Sequence, residues 1–117
     1  MIVLSFNECI NKHDVEGLSN LMTKNHIFID RNGTIHQSRE FMMKAWEHFF
    51  QMFPLYKNIF DRIESRDNCV VITGHAYWSE EQPHDAVIWI ATVIDDLVSE
   101  WRIYDDSPAN RTEFNVL

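Results

Sequence analysis

The chain has 117 residues, of which 45% are hydrophobic and 13% aromatic, with only three glycines and three prolines. This length fits one domain with a single core, and the composition excludes the disordered and fibrous classes. The formal net charge is -8 and the ten Lys and Arg residues form no basic run, which argues against nucleic acids and membrane surfaces as partners.

No segment of the sequence is typical of targeting or membrane insertion. The N-terminal stretch lacks a basic region, and no apolar run approaches the roughly 20 residues that a membrane span needs. Cys9 and Cys69 lie far apart, which favours two free thiols in a reducing compartment over a disulfide. The histidines show no metal-binding spacing. We therefore expect a soluble cytoplasmic protein without a metal or cofactor.

Helical periodicity comes first along the chain. Residues 2–12 fit a first helix, and Asp14 is the expected cap of a second. The second helix is predicted over "VEGLSNLMT", in which Leu18, Leu21 and Met22 follow helical spacing. A strand pair turned at "RNG" is predicted over residues 26–36. Ser38 is the expected cap of a third, unusually aromatic helix, which Pro54 ends.

The periodicity changes to that of strands for the rest of the chain. Four segments with strand alternation are separated by polar turns or loops, at residues 56–65, 69–78, 85–94 and 97–106. Helices followed by a run of antiparallel strands are typical of the α+β class.

The strand around residues 86–94 is apolar on both faces. A strand of this kind needs cover on both sides of its sheet, and three helices supply cover for only one. We expect the other side to meet a second subunit in a homodimer. The alternative is that the C-terminal segment folds back over it, with Phe114 and Val116 against the sheet.

The order of these elements and four local motifs resemble a known family. The motifs are "NKHDVEGLSNLM", "IFIDRNG", "SREFMMKAWEHFF" and the closing "DDLVSEWRIYDD". On these the chain is identified as a member of the nuclear transport factor 2-like superfamily, in its SnoaL-like and ketosteroid-isomerase-like branch, as a single domain over residues 1–117. The resemblance implies N-terminal helices packed in a curved, mostly antiparallel sheet, forming a cone with one internal apolar pocket, commonly in homodimers.

Asp30 is the most informative single residue. Strand alternation puts it on the same face as Phe28, where a carboxylate is either a turn cap or a working group. The resemblance places Asp30 at the position of the general base in ketosteroid isomerases, where partial desolvation makes a carboxylate more basic. The oxyanion donors of those enzymes fall on Phe6 and near Trp89, which cannot fill that role.

The same resemblance bears on the reaction type. The isomerase reaction is not expected unless His75 or Tyr77 takes over as oxyanion donor. The triad of the related epoxide hydrolases is missing, because its positions hold His75, Tyr77 and Ile103. A dehydratase of the scytalone type, which pairs a histidine with an aspartate, fits Asp30 and His75 better.

We therefore expect a domain that binds a small apolar molecule. The enzymatic hypothesis is an isomerase, cyclase or dehydratase with Asp30 as general base. The predicted catalytic pair is Asp30 and His75, which should lie within reach of each other or of a shared water. The pKa of Asp30 should be raised unless His75 is charged. The predicted ligand-binding residues are Phe28, Trp46, Tyr77, Trp89, Trp101 and Asp105. Trp46, Tyr77, Trp89 and Trp101 should surround one cavity of roughly 300 to 1,000 Å³.

Each of these residues also has a structural alternative. Asp30 could cap the turn, His75 could be a hydrogen-bonded core histidine, and the aromatic side chains could be core. A non-catalytic ligand-binding or accessory dimerisation protein is accordingly the alternative function. Whether the chain is an enzyme stays open on sequence grounds.

Overall fold

The computed structural model describes residues 1–117 as four helices and six strands. In chain order they are α1 (Ile2–Asn11), α2 (Val15–Asn20), β1 (Met22–Ile29), β2 (Ile35–Gln37), α3 (Arg39–Met52), β3 (Lys57–Ser65), β4 (Val70–Tyr77), β5 (Asp85–Ile94), β6 (Leu97–Asp105) and α4 (Pro108–Glu113). The predicted α+β class is confirmed. No helix among them has both the length and the apolar character that crossing a membrane requires.

The strands form one curved sheet in the order β2, β1, β6, β5, β4, β3. All neighbouring strands are antiparallel except β1 and β6, which run parallel. The pairing register shifts within β1/β6, β3/β4 and β5/β6, and shifts of this kind bend and twist a sheet. The mostly antiparallel, curved sheet that the resemblance implies is therefore confirmed.

Gly74 in β4 lies beside the register shift of the β3/β4 pair. A Cβ atom built on Gly74 would lie 2.0 Å from the backbone carbonyl oxygen of Ile59. No side chain fits there because the neighbouring atom is backbone and cannot rotate away. A glycine at this position is what allows β3 to approach β4 so closely.

The helix starts follow the predicted caps. The Asp14 side chain accepts from Gly17 N at 2.9 Å, and the Ser38 hydroxyl accepts from Phe41 N at 3.1 Å. The second helix is shorter than its apolar spacing predicts, because Met22 already belongs to β1. Tertiary pairing overrides the local pattern there, since Leu21 O accepts from Val98 N at 2.7 Å.

The core lies between α1 and the concave face of the sheet. Phe6 is fully buried and packs on Trp101, with ring centroids 4.8 Å apart. His26 of β1 is fully buried as well, and its Nδ1 donates to the Val98 carbonyl oxygen at 2.7 Å. Burial lowers the pKa of His26, and this hydrogen bond opposes the shift without cancelling it.

The C-terminal segment covers part of the convex face of the sheet. Helix α4, which the sequence analysis did not predict, begins at the Ser107 cap and leads to Phe114, whose ring packs 4.5 Å from that of Tyr104. Tyr104 lies opposite Ile88, which is fully buried. Ile88 thus has cover within one chain, as in the second alternative, whereas Ile94 at the other end of the same face is 53% exposed. The homodimer stays a prediction.

Two arginine side chains hold this segment in place, one of them through an ion pair. The Arg111 guanidinium forms a bidentate ion pair with the Asp106 carboxylate. It also donates to Leu117 O at 2.8 Å. Arg66 donates to Asn115 O at 3.2 Å.

Cys9 and Cys69 are both free thiols, as predicted.

Candidate functional site

A cavity of about 340 Å³ opens between α3 and the concave face of the sheet. Of the 16 residues that line it, 11 are hydrophobic, so its wall is mainly apolar. The aromatic members are Phe28, Trp46, Phe49, Tyr56, Trp78 and Trp89. A cavity of this size lies near the lower end of the range for small-molecule sites.

The aromatic wall is built by helical spacing on α3 and by the strands facing it. Met42, Ala45, Trp46 and Phe49 fall on one side of the helix, which turns that side toward the sheet. Trp46 meets Phe28 of β1 edge to face, with centroids 5.9 Å apart. Edge-to-face contacts fix ring orientations and are worth about 0.5 to 1.5 kcal/mol each beyond area burial.

Trp78 closes the aromatic wall at the far end of α3. Its ring lies edge to face with Phe49 at 5.6 Å, Phe53 at 5.0 Å and Tyr56 at 4.8 Å. Its indole Nε1 donates to Asp85 Oδ2 at 2.9 Å. The wall thus ends in a hydrogen bond to a carboxylate.

The polar end of the cavity begins at Asp30. Its Oδ1 accepts from the backbone N of Asn32 at 2.9 Å and of Thr34 at 3.0 Å, and its Oδ2 lies 3.1 Å from His36 Nε2. Burial favours a higher pKa for Asp30, but the hydrogen bonds from His36, Thr34 and Asn32 outweigh it and lower the pKa. Because the ionised carboxylate can only accept, His36 donates through Nε2.

A second carboxylate at the polar end belongs to Asp85 at the start of β5. The Asp85 side chain accepts from Trp78 and from Arg31, and Arg31 Nε also donates to Asp105 Oδ1 at 2.8 Å. Burial favours a higher pKa for Asp85, but the hydrogen bonds from Arg31 and Trp78 prevail and lower it. Arg31 therefore bridges the β1/β2 turn to β5 and β6 at the mouth of the cavity.

Tyr56 adds a neutral hydroxyl to the lining. Its side chain is only 4% exposed, and burial raises the pKa of Tyr56, with the Asp85 charge acting in the same direction. The hydroxyl therefore keeps its proton across the physiological pH range and can donate a hydrogen bond.

No metal site is formed by the side chains of residues 1–117. They contain no group of three or more His, Cys, Asp or Glu placed to bind a metal ion.

The structure places four of the eight predicted site residues at the cavity. Phe28 of β1 and Asp30, which directly follows the strand, both line the cavity, as strand alternation predicts. Trp46 of α3 and Trp89 of β5 form other parts of the wall. Their roles in binding or catalysis stay predictions.

The predicted pairing of Asp30 with His75 is wrong. In β4 the buried Ile72 and Ala76 face the core, so alternation turns His75 and Tyr77 to the convex face. The His75 ring stacks on His84 with centroids 4.1 Å apart, and neither His75 nor Tyr77 lines the cavity. The raised pKa predicted for Asp30 is also wrong, because the partners that it has all stabilise the charged form.

Trp101 and Asp105 do not line the cavity either. Trp101 is fully buried, with its ring packed against Phe6 and Phe60 in the core. Asp105 is largely exposed and touches the site only through Arg31, at the outer edge of the mouth. The expectation that four aromatic residues surround the cavity thus holds for Trp46 and Trp89 alone.

Sequence reasoning missed His36, Arg31, Tyr56, Trp78 and Asp85. A signal existed for His36, because a tight turn at "RNG" pairs it with Phe28, and residues directly opposite each other share a face. Arg31 and Asp85 are 54 positions apart, and their contact has no local signal in the sequence.

Comparison with solved structures shows the same fold in several bacterial proteins. The chain is similar to a proposed polyketide cyclase from Sinorhizobium meliloti (TM-score 0.78, 14% identity, covering 87% of this chain and 92% of that one). It is also similar to a proposed SnoaL-like polyketide cyclase from Shewanella putrefaciens CN-32 (TM-score 0.76, 14% identity, covering 99% of this chain and 84% of that one). A third similar structure is an NTF2-like protein of unknown function from Cytophaga hutchinsonii ATCC 33406 (TM-score 0.75, 15% identity, covering 97% of this chain and 91% of that one). At these identities the likeness establishes the fold alone.

Sequence comparison identifies the family. No curated protein matches the chain. The profile of the SnoaL-like domain matches residues 3–107, which is most of the sequence. The chain therefore belongs to the SnoaL-like domain family, within the NTF2-like superfamily.

Proposed function

We propose that this SnoaL-like domain binds a small, largely apolar molecule in the cavity and that His36, oriented by Asp30, transfers a proton on it. The observation that carries the proposal is the joint placement of an aromatic wall and one Asp–His pair in a single cavity of about 340 Å³. Sites for small molecules combine an apolar wall with a few placed polar groups in this way.

The geometry of the pair suggests how the proton moves. His36 donates from Nε2 to the Asp30 carboxylate, so Nδ1 of the neutral ring carries the free lone pair. Nδ1 accepts a proton from the bound molecule, and the carboxylate stabilises the imidazolium that results. With its lowered pKa Asp30 stays charged throughout and acts as a positioning residue, a change from the direct base that the sequence favoured.

The first step of this proposal is common to several reactions. Removal of a proton next to a carbonyl begins isomerase, cyclase and dehydratase chemistry alike, and each needs a donor to the developing oxyanion. The protonated hydroxyl of Tyr56 in the cavity wall is the candidate donor. The two similar structures named as proposed polyketide cyclases are in keeping with this class of chemistry.

Exchange of carbon-bound protons tests the proposal without knowledge of the natural substrate. The probe is 2-tetralone, a small aromatic ketone with acidic protons next to its carbonyl. In heavy water we expect the protein to accelerate their replacement by deuterium, followed by NMR of the probe. His36→Gln should remove the acceleration while leaving binding of the probe intact, and His48→Gln on the exposed side of α3 is the matched control.

A non-catalytic binding protein is the second candidate function. It is favoured by the two turn amides bonded to Asp30, since these hydrogen bonds explain the carboxylate without any chemistry. Binding of 2-tetralone with exchange no faster than in buffer would support this candidate and contradict proton transfer. Failure of the probe and of related aromatic ketones to bind would contradict both.

A further inference from the structure

The polar end of the cavity carries more negative than positive charge. Asp30 and Asp85 line it, and the only guanidinium there, Arg31, is already shared between Asp85 and Asp105. The mouth of the cavity thus has three carboxylates, those of Asp30, Asp85 and Asp105, and one permanent cation, the Arg31 guanidinium. The whole chain, at a formal charge of -8, adds to this potential rather than opposing it.

One carboxylate at the cavity has unused capacity. Both Arg31 and Trp78 donate to Oδ2 of Asp85, and no donor of the chain contacts its Oδ1. The lowered pKa of Asp85 keeps the group ionised. A positive group that enters the cavity therefore meets a charge that is only partly neutralised.

The wall next to this carboxylate consists of aromatic faces and edges. Tyr56 and Trp78 pack together at 4.8 Å, and Trp46 and Trp89 complete the enclosure. A cation within about 6 Å of such a ring is attracted by its quadrupole, by about 0.5 to 2 kcal/mol depending on desolvation. Rings and carboxylate therefore favour the same kind of ligand.

We infer that the cavity selects a small aromatic or alkyl ammonium ion over neutral and anionic molecules of the same shape. This inference rests on the proposed ligand-binding function and adds the charge class of the ligand. Asp85 and the surrounding rings supply the selectivity, while Arg31 is committed to its two carboxylates and is not free to bind an anion.

Three probes of matched shape separate charge from shape. Benzyltrimethylammonium is the cation, neopentylbenzene is its neutral carbon isostere, and phenylmethanesulfonate is the anion. The chain has four tryptophans, so a ¹⁵N-labelled sample shows four indole signals. Trp46, Trp78 and Trp89 line the cavity, whereas Trp101 lies in the core and serves as the internal control.

We expect benzyltrimethylammonium to shift the three cavity signals and to bind roughly tenfold more tightly than neopentylbenzene. Phenylmethanesulfonate should bind more weakly than either. Asp85→Asn should remove most of the preference for the cation, because it keeps the acceptor for Trp78 but loses the charge. Asp96→Asn makes the same change in net charge at the opposite end of the β5/β6 hairpin and should leave the preference intact.

Two results would overturn the inference in different ways. If the neutral or the anionic probe binds as tightly as the cation, the charge class is wrong and the ligand-binding function stands. If none of the probes moves the indole signals of Trp46, Trp78 and Trp89, the inference and the proposed binding function both fail.

Discussion

Filling the cavity should stabilise the fold and abolish binding at once. Ala45 lines the cavity from α3, and Ala45→Leu adds three carbon atoms that point into open space of about 340 Å³. At about 0.8 kcal/mol per buried carbon the gain is at most about 2.4 kcal/mol, and a small loss of helix propensity leaves about 1 to 2 kcal/mol. The same atoms occupy the ligand's volume, so affinity for the probes should fall at least about tenfold.

Urea denaturation measures this gain, with Ala109→Leu on α4 as the matched control. Ala109 is exposed on a helix, so the same substitution there should change the free energy of unfolding by less than about 0.5 kcal/mol. Destabilisation of Ala45→Leu by about 1 to 3 kcal/mol is the signature of overpacking. That result would show that the space between α3 and the sheet is closed in solution, and it would refute the cavity on which the proposals rest.

Three further predictions concern the fold. Gly74→Ala should cost at least about 2 kcal/mol of unfolding free energy in urea, because its Cβ would collide with the Ile59 carbonyl; a neutral effect would contradict the close approach of β3 and β4. The pKa of His26 is lowered below its ordinary 6.5, so the unfolded chain takes up the proton first and stability should fall as pH drops below about 6.5. His26→Gln should flatten that slope, and an unchanged slope would count against a buried neutral ring. Phe114→Ala should cost about 1 to 2 kcal/mol and raise self-association in light scattering, since Phe114 covers Tyr104 on the convex face; no effect would mean that the C-terminal segment is not docked.

Local patterns were sufficient to predict most of the fold. The caps at Asp14 and Ser38 and the strand at residues 85–94 lie where the sequence places them, because capping and alternation act over a few neighbouring residues. The end of α2 was misjudged because Leu21 and Met22 fit a helix but pair with β6 instead. Pairing across the fold decided the conformation there.

The site was predicted less well because face assignment depends on register. A shift by one residue moves every side chain of a strand to the other face, and His75 and Tyr77 were assigned to the wrong one by analogy. Thr73 shares their face, and this row of polar residues could have indicated the convex side. The Arg31 contact with Asp85 depends on how distant strands curve toward each other, which no local pattern encodes.

The central claim is that the cavity beside Asp30 and His36 is the place where a small molecule binds. A crystal structure of the full chain grown with 2-tetralone tests it most directly. We predict density for the probe between Trp46 and Trp89, with its carbonyl end toward His36 and Tyr56. Density for the probe on the convex face beside His75, with the cavity empty at saturating concentration, would contradict the account.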